Sequence, residues 1–278
     1  MRARISEAVR RAAAAAMMRF DGSMKRFGTF EQAKAHSSGY EDEKIAGVVA
    51  HKSRLLREEL QRHPETIKFS RCDLQNVFCF LHVYDEVNAP LDVMEIGGAC
   101  GAACETVRHV CDEKTGTWAV VETPAMARKG RECFGDAKLT FHTHPDEVIP
   151  GGRHLLVASG VLQYLENPLA ALTDWFGRGF TYVYLTRNLV LPTSPGPVYV
   201  RQATRLTEHG PRYPTPRKYR KAGVSYPMTI LPARAIPDHV SDNYSIVYKF
   251  SEDGRRRVPG AGSEPAEHVG YLIKRTTG

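Results

Sequence analysis

From residue 91 onward the apolar positions come in short runs, at 92–96, 118–121, 139–142, 154–159 and 181–186, with helically spaced stretches between them at 103–111, 125–133 and 168–175. Short apolar runs alternating with helices predict a mostly parallel α/β sheet. Upstream the spacing is helical. Thr29 can cap a short helix with Gln32 three positions on and Gly39 at its end, and further helices are predicted over 43–60 and 75–87. From Pro192 to Pro237 the chain is Pro-rich with few helix signals, which predicts a loop-rich wall over a cleft. The runs 244–250 and 269–274 alternate and flank a loop carrying Arg255, Arg256 and Arg257, so they predict an antiparallel pair closing the sheet. The expected organisation is a helical extension or lid over 1–88, then an α/β domain over 89–278 with a loop-rich insertion at 192–237.

Composition changes this picture little. The 278 residues are 42% hydrophobic and 25% charged, ordinary for a folded chain, and no apolar run approaches membrane-spanning length. A cytoplasmic protein acting on a small molecule is expected, with no membrane partner and a homodimer permitted. The formal net charge of +7 gathers in basic clusters near the N-terminus, at 212–221 and at 255–257. No nucleic-acid signature accompanies them, so they read as solvated faces and nucleic-acid binding is not expected. The cysteines at 72, 79, 100, 104, 111 and 133 form no C-x-x-C pair and read as free thiols, with Cys100 a packing residue. The first eighteen residues are basic and alanine-rich. They read as a helix capping the cleft in preference to a cleaved leader.

The stretch LDVMEIGGACGAACETV carries the chemistry. Val93, Met94 and Ile96 suit a buried strand; Gly97, Gly98 and Gly101 allow a sharp turn close to a ligand, and a helix N-terminus follows. Glu95 inside the motif serves a pyrophosphate poorly, and the spacing is not G-x-G-x-x-G. S-adenosylmethionine therefore suits the turn better than NAD. Glu122, ending the next apolar run, is placed to accept from both ribose hydroxyls. His142 and His144 share one side of an extended segment, but further ligands of suitable spacing are lacking, so no metal is expected.

Together with this order of units, the segments FEQAKAHSSGYEDEKI, SGVLQYLENP, LTRNLVLP and SYP resemble the class I S-adenosylmethionine-dependent methyltransferases, and within them an uncharacterised group linked to saccharide or secondary-metabolite pathways. The resemblance implies a Rossmann-like, mostly parallel seven-stranded sheet with an antiparallel end strand. It implies that Glu95, Gly97, Gly98 and Gly101 line the methionine and ribose, that Glu122 holds the ribose, and that His142 and Thr143 lie near adenine. Ser159 to Tyr164, with Gln163, would lie beside the sulfonium, Arg187 at the cleft mouth, and Tyr199, Gln202, Ser225 and Tyr226 in the wall.

Methyl transfer to an oxygen or nitrogen of a small molecule is the first reading, with His142, His144 or His154 as candidate bases. Azetidine-2-carboxylate synthases resemble the same group. They imply an alternative, cyclisation of S-adenosylmethionine with release of methylthioadenosine, in which Tyr199, Ser225, Tyr226 and Tyr164 would surround the reacting chain. A cofactor-binding protein without catalysis is the third reading.

Overall fold

The computed structural model describes residues 24–65, 69–148, 152–261 and 264–276, so the pattern at the N-terminus lies outside the described residues. The described residues open with β1 (Met24–Phe27), α1 (Phe30–Ala35), α2 (Glu43–Arg62) and α3 (Arg71–Val87). Side chains set the helix starts. Thr29 accepts from the Gln32 N–H and Asp42 from the Lys44 N–H, while Ser70 and Asp73 form a reciprocal capping box. That box starts α3 at Arg71, earlier than the apolar spacing suggests, and α1 ends at Ala35, before Gly39.

The alternating part follows as β2 (Leu91–Ile96), α4 (Ala102–Cys111), β3 (Thr115–Val121), α5 (Pro124–Cys133), β4 (Leu139–His142), β5 (Leu155–Ser159), α6 (Pro168–Gly177) and β6 (Tyr182–Leu191). The last four strands are β7 (Val198–Arg205), β8 (Gly223–Pro232), β9 (Tyr244–Arg256) and β10 (Ala266–Arg275). The central strands pair in parallel in the order β4-β3-β2-β5-β6, and β10 inserts antiparallel between β6 and β9. These seven strands make the Rossmann-like α/β sheet expected from the sequence. The runs of β2, β3, β5 and β6 are largely apolar because both faces are covered, whereas β9 at the edge is mostly polar and exposed. Val93, Trp118, Val120 and Val157 pack with α2, α3, α4 and α5 on one side; Met94, Leu156 and Val183 pack with Leu172 and Trp175 of α6 on the other. Among the described residues no helix is long and apolar enough to cross a membrane.

The segment 192–237 is less loop-rich than expected: it carries the antiparallel β7–β8 pair, joined through 206–222, whose far edge pairs with β1 and whose end joins β6 at Val190 and Leu191. Pro227 hides this strand from a sequence reading. β8 has only β7 for a strand partner there, the setting in which a strand tolerates proline.

Close packing places one glycine without freedom to change. A Cβ on Gly130 of α5 would lie 2.3 Å from the Phe141 ring of β4. Gly130→Ala adds about 1 kcal/mol in an open helix, but here it should lower stability by about 1–3 kcal/mol. The reading is a lower urea midpoint with an unchanged m value. An equal or higher midpoint would show that α5 lifts freely from β4.

Candidate functional site

In an open α/β sheet, ligands bind beyond the carboxyl ends of the strands where the strand order reverses. Here that point lies between β2 and β5. The turn after β2 is held by Gly97 donating to the Val121 carbonyl at 2.9 Å and Gly101 donating to the Gly98 carbonyl at 2.9 Å. Gly97, Ala99 and Gly101 all have positive φ, of 70°, 53° and 75°. Gly98 is required for a different reason. A Cβ there would sit 2.5 Å from the Glu95 carboxylate carbon, so that carboxylate fills the space under the turn.

The two acids divide the work. Glu95 is only 2% exposed, and its Oε2 accepts from Trp118 Nε1 at 2.8 Å. Burial, with Glu122 adding to it, pushes its pKa up to about 7 against the pull of Trp118. Glu95 thus braces the turn from below and does not face open cleft. Glu122, just past β3, is half-buried; its Oε1 accepts from the Ala99 N–H at 3.0 Å and its Oε2 from the Thr123 N–H at 2.9 Å. Burial raises its pKa, and these two donors oppose the rise. Each oxygen keeps acceptor capacity for a hydroxyl.

Opposite this floor stands a cluster of rings. Tyr164 and Tyr226 meet edge to face with centroids 5.0 Å apart, and Tyr40 packs on both at 5.9 and 5.5 Å. His209 closes the group, 6.0 Å from Tyr226. The Tyr226 hydroxyl donates to Thr204 Oγ1 at 3.3 Å, and Thr204 Oγ1 lies 2.9 Å from His209 Nε2. Burial lowers the His209 pKa, so its imidazole is neutral at neutral pH. Lys52 of α2 fixes this turn, its Nζ donating to the carbonyls of Thr207 at 2.8 Å and His209 at 2.7 Å. Beside the rings, the buried side-chain carbonyls of Gln163 and Gln202 have no hydrogen-bond partner among the described residues.

The structure therefore groups Tyr164, Tyr226, Gln163 and Gln202 around Tyr40, on which the Glu122 charge acts, but not every expected residue. Tyr199 points to the other face of β7 from Gln202 and lines a hollow of about 370 Å³ with Arg26 and Phe27. Ser225 is occupied in holding the chain before Tyr40, since its N–H donates to Ser38 Oγ at 2.9 Å and its carbonyl accepts from the N–H groups of Ser38 and Gly39 at 3.0 and 3.1 Å. His142 ends β4 with Nε2 on Thr140 Oγ1 at 2.9 Å, and Thr143 donates through N and Oγ1 to Glu147, which supplies a carboxylate at this end of the cleft. His154 lies at the opposite, amino end of the strands, where Nδ1 accepts from the Asp92 N–H at 3.0 Å. His144 is exposed on the loop after β4. Tyr40 and His209 were not foreseen. Neither belongs to a spacing pattern, and only the tertiary contact of Ser38 with Ser225 brings Tyr40 in.

No family model matches the chain, and no curated protein matches it significantly. Among solved structures it is similar to the N-terminal domain of EvdMO1 in the presence of S-adenosylhomocysteine and D-fucose, at 14% identity over 81% of this chain and 97% of that one, TM-score 0.46. It is also similar to magnesium protoporphyrin IX methyltransferase from Synechocystis with bound S-adenosylhomocysteine, at 11% identity over 81% and 99%, TM-score 0.44. CalS10, an amino pentose methyltransferase from Micromonospora echinaspora bound to S-adenosylmethionine, is similar at 12% identity over 76% and 99%, TM-score 0.44.

The buried Glu95 makes stability depend on pH. Its folded pKa of about 7 lies above the ordinary carboxylate value, so its contribution is full in acid and is lost as pH rises through the folded pKa. Glu95→Gln should gain on the wild type by on the order of 2 kcal/mol between pH 5 and pH 8. Urea midpoints of both proteins at the two pH values measure this. A constant difference would place the Glu95 titration outside that window.

Proposed function

We propose that this chain is an S-adenosylmethionine-dependent methyltransferase acting on an oxygen or nitrogen of a small molecule such as a saccharide or natural-product intermediate. The observation that carries this reading is Glu122, whose two carboxylate oxygens are each anchored by a backbone N–H beside the glycine-rich turn at the switch point. Such a carboxylate accepts from a vicinal pair of hydroxyls. The unpartnered carbonyls of Gln163 and Gln202 fit an ammonium group, and the faces of Tyr40 and Tyr164 fit a sulfonium.

When bound, S-adenosylmethionine supplies an electrophilic carbon next to sulfur. The protein's contribution is alignment and exclusion of water, since the ring cluster closes the cleft. A hydroxyl acceptor must also lose a proton. The Tyr226–Thr204–His209 chain offers a route, each hydroxyl taking one proton and passing its own on until Nε2 of the neutral imidazole receives it.

Incubation with S-adenosylmethionine alone, and with panels of hydroxyl- and amine-bearing small molecules, followed by mass spectrometry, tests this reading. S-adenosylhomocysteine formed only with an acceptor is the expected result. Methylthioadenosine with azetidine-2-carboxylate from the cofactor alone would replace it with the cyclisation, and binding without turnover across the panel with a non-catalytic role. Glu122→Ala should weaken S-adenosylhomocysteine binding about ten- to a hundredfold. Unchanged affinity would refute the ribose assignment.

A further inference from the structure

We infer that Arg187 forms a carboxylate site at the mouth of this cleft, taking the amino-acid end of the cofactor, and that Glu252 is the positioning residue that aims it. This rests on the cofactor reading above and adds to it a recognition element and its support.

Arg187 interrupts β6 in its middle with φ of 55°, a left-handed conformation that a residue with a side chain adopts when its surroundings enforce it. The enforcing group comes from β9, two strands away. Glu252 Oε2 accepts the Arg187 N–H at 2.7 Å, and Oε1 accepts the Thr186 hydroxyl. To reach β6 the Glu252 side chain must cross β10, and it does so at Gly270, where a Cβ would lie 2.7 Å from Glu252 Oε1. The β10 register against β6 shifts between Val269 and Tyr271, around that glycine. Bend, carboxylate and glycine are parts of one arrangement.

Its effect is on the guanidinium. The Arg187 side chain turns back over the end of β5, where Nε donates to Ser159 Oγ and Nη2 to the Ser159 carbonyl, both at 3.1 Å. Gly160 makes room, since a Cβ there would stand 3.2 Å from Nη2. Ser159 thus takes two of the five N–H donors a guanidinium carries. Arg187 is exposed, and its charge bears on Tyr40 and Tyr164 in the ring cluster and on Glu95 under the turn.

The placement has the right length. Val121 and Ala158 are level with Ile96 of β2, so Glu122 and Ser159 leave the sheet together on either side of it. Two strand spacings separate them, about 10 Å. An adenosyl amino acid held through its ribose hydroxyls at Glu122 spans that distance to bring its carboxylate to Arg187. A planar guanidinium is suited to a carboxylate in a way an ammonium is not.

Isothermal titration with S-adenosylhomocysteine and with methylthioadenosine, which lacks the amino-acid end, tests the assignment without turnover. Arg187→Gln should weaken S-adenosylhomocysteine about tenfold and leave methylthioadenosine unchanged. Glu252→Gln should shift the same ratio in the same direction, by about threefold, as the bend relaxes. A loss shared equally by both ligands, or no loss in Arg187→Gln, would overturn the carboxylate site while leaving the cofactor reading intact. An Arg187 effect without a Glu252 effect would overturn the positioning role. If the wild type binds neither ligand, the cofactor reading falls, and this inference with it.

Discussion

A carboxylate inside a protein needs either a proton or donors, and Glu95 has one strong donor, the Trp118 indole, and otherwise lies against the backbone of Gly98. The shape of the ligand end of the sheet follows from that placement. The carboxylate occupies the volume a side chain on Gly98 would need, so the turn can lie flat over it. Flatness in turn lets Ala99 present its N–H to Glu122. The two acids are thus linked through one turn, with the buried one bearing the desolvation and the half-buried one left to meet a ligand. Glu122 also contributes to raising Glu95, so the pair shares less than two full charges near neutrality.

Against this floor, the opposite side of the cleft is assembled from remote pieces. Tyr40 follows α1, Tyr164 follows β5, Tyr226 lies on β8 and His209 in the connection after β7. Each is held by a contact of a different kind. Ser225 grips the backbone before Tyr40, Lys52 reaches from α2 to the carbonyl of His209, and Thr204 joins Tyr226 to the imidazole. Lys52 is 2% exposed with carbonyls as its hydrogen-bond partners, and burial lowers its pKa. Burying this amine is costly, and its two carbonyl partners offset that cost while tying the His209 turn to α2.

The floor was legible in the sequence because its signals are local. A strand buried on both faces has to be apolar throughout, and a tight strand-to-helix turn needs glycines at fixed offsets, so 92–96, Gly97, Gly98, Gly101 and Glu122 stand out from the residue pattern alone. The wall was not legible, for the opposite reason. Val198, Val200 and Gln202 do alternate with Tyr199 and Arg201, but the prolines around and within the β7–β8 pair outweighed that pattern. Ser225 looked like chemistry and is occupied as a support; His154 looked like a base and sits at the wrong end of its strand. Gly270 was the overlooked signal. A glycine inside an otherwise apolar strand marks a close approach, and here Glu252 is what approaches.

The Ser38–Ser225 contact joins residues 187 positions apart in the chain. Contacts this distant carry a large loop-closure entropy and form after the local ones that shorten the path between them. The β2–β3 floor is built from contacts local in sequence, whereas the wall depends on segments far apart in the chain meeting. The two sides of the cleft can therefore vary separately: a change in the wall can alter what is admitted beside the floor without touching the turn that Glu95 and Glu122 hold.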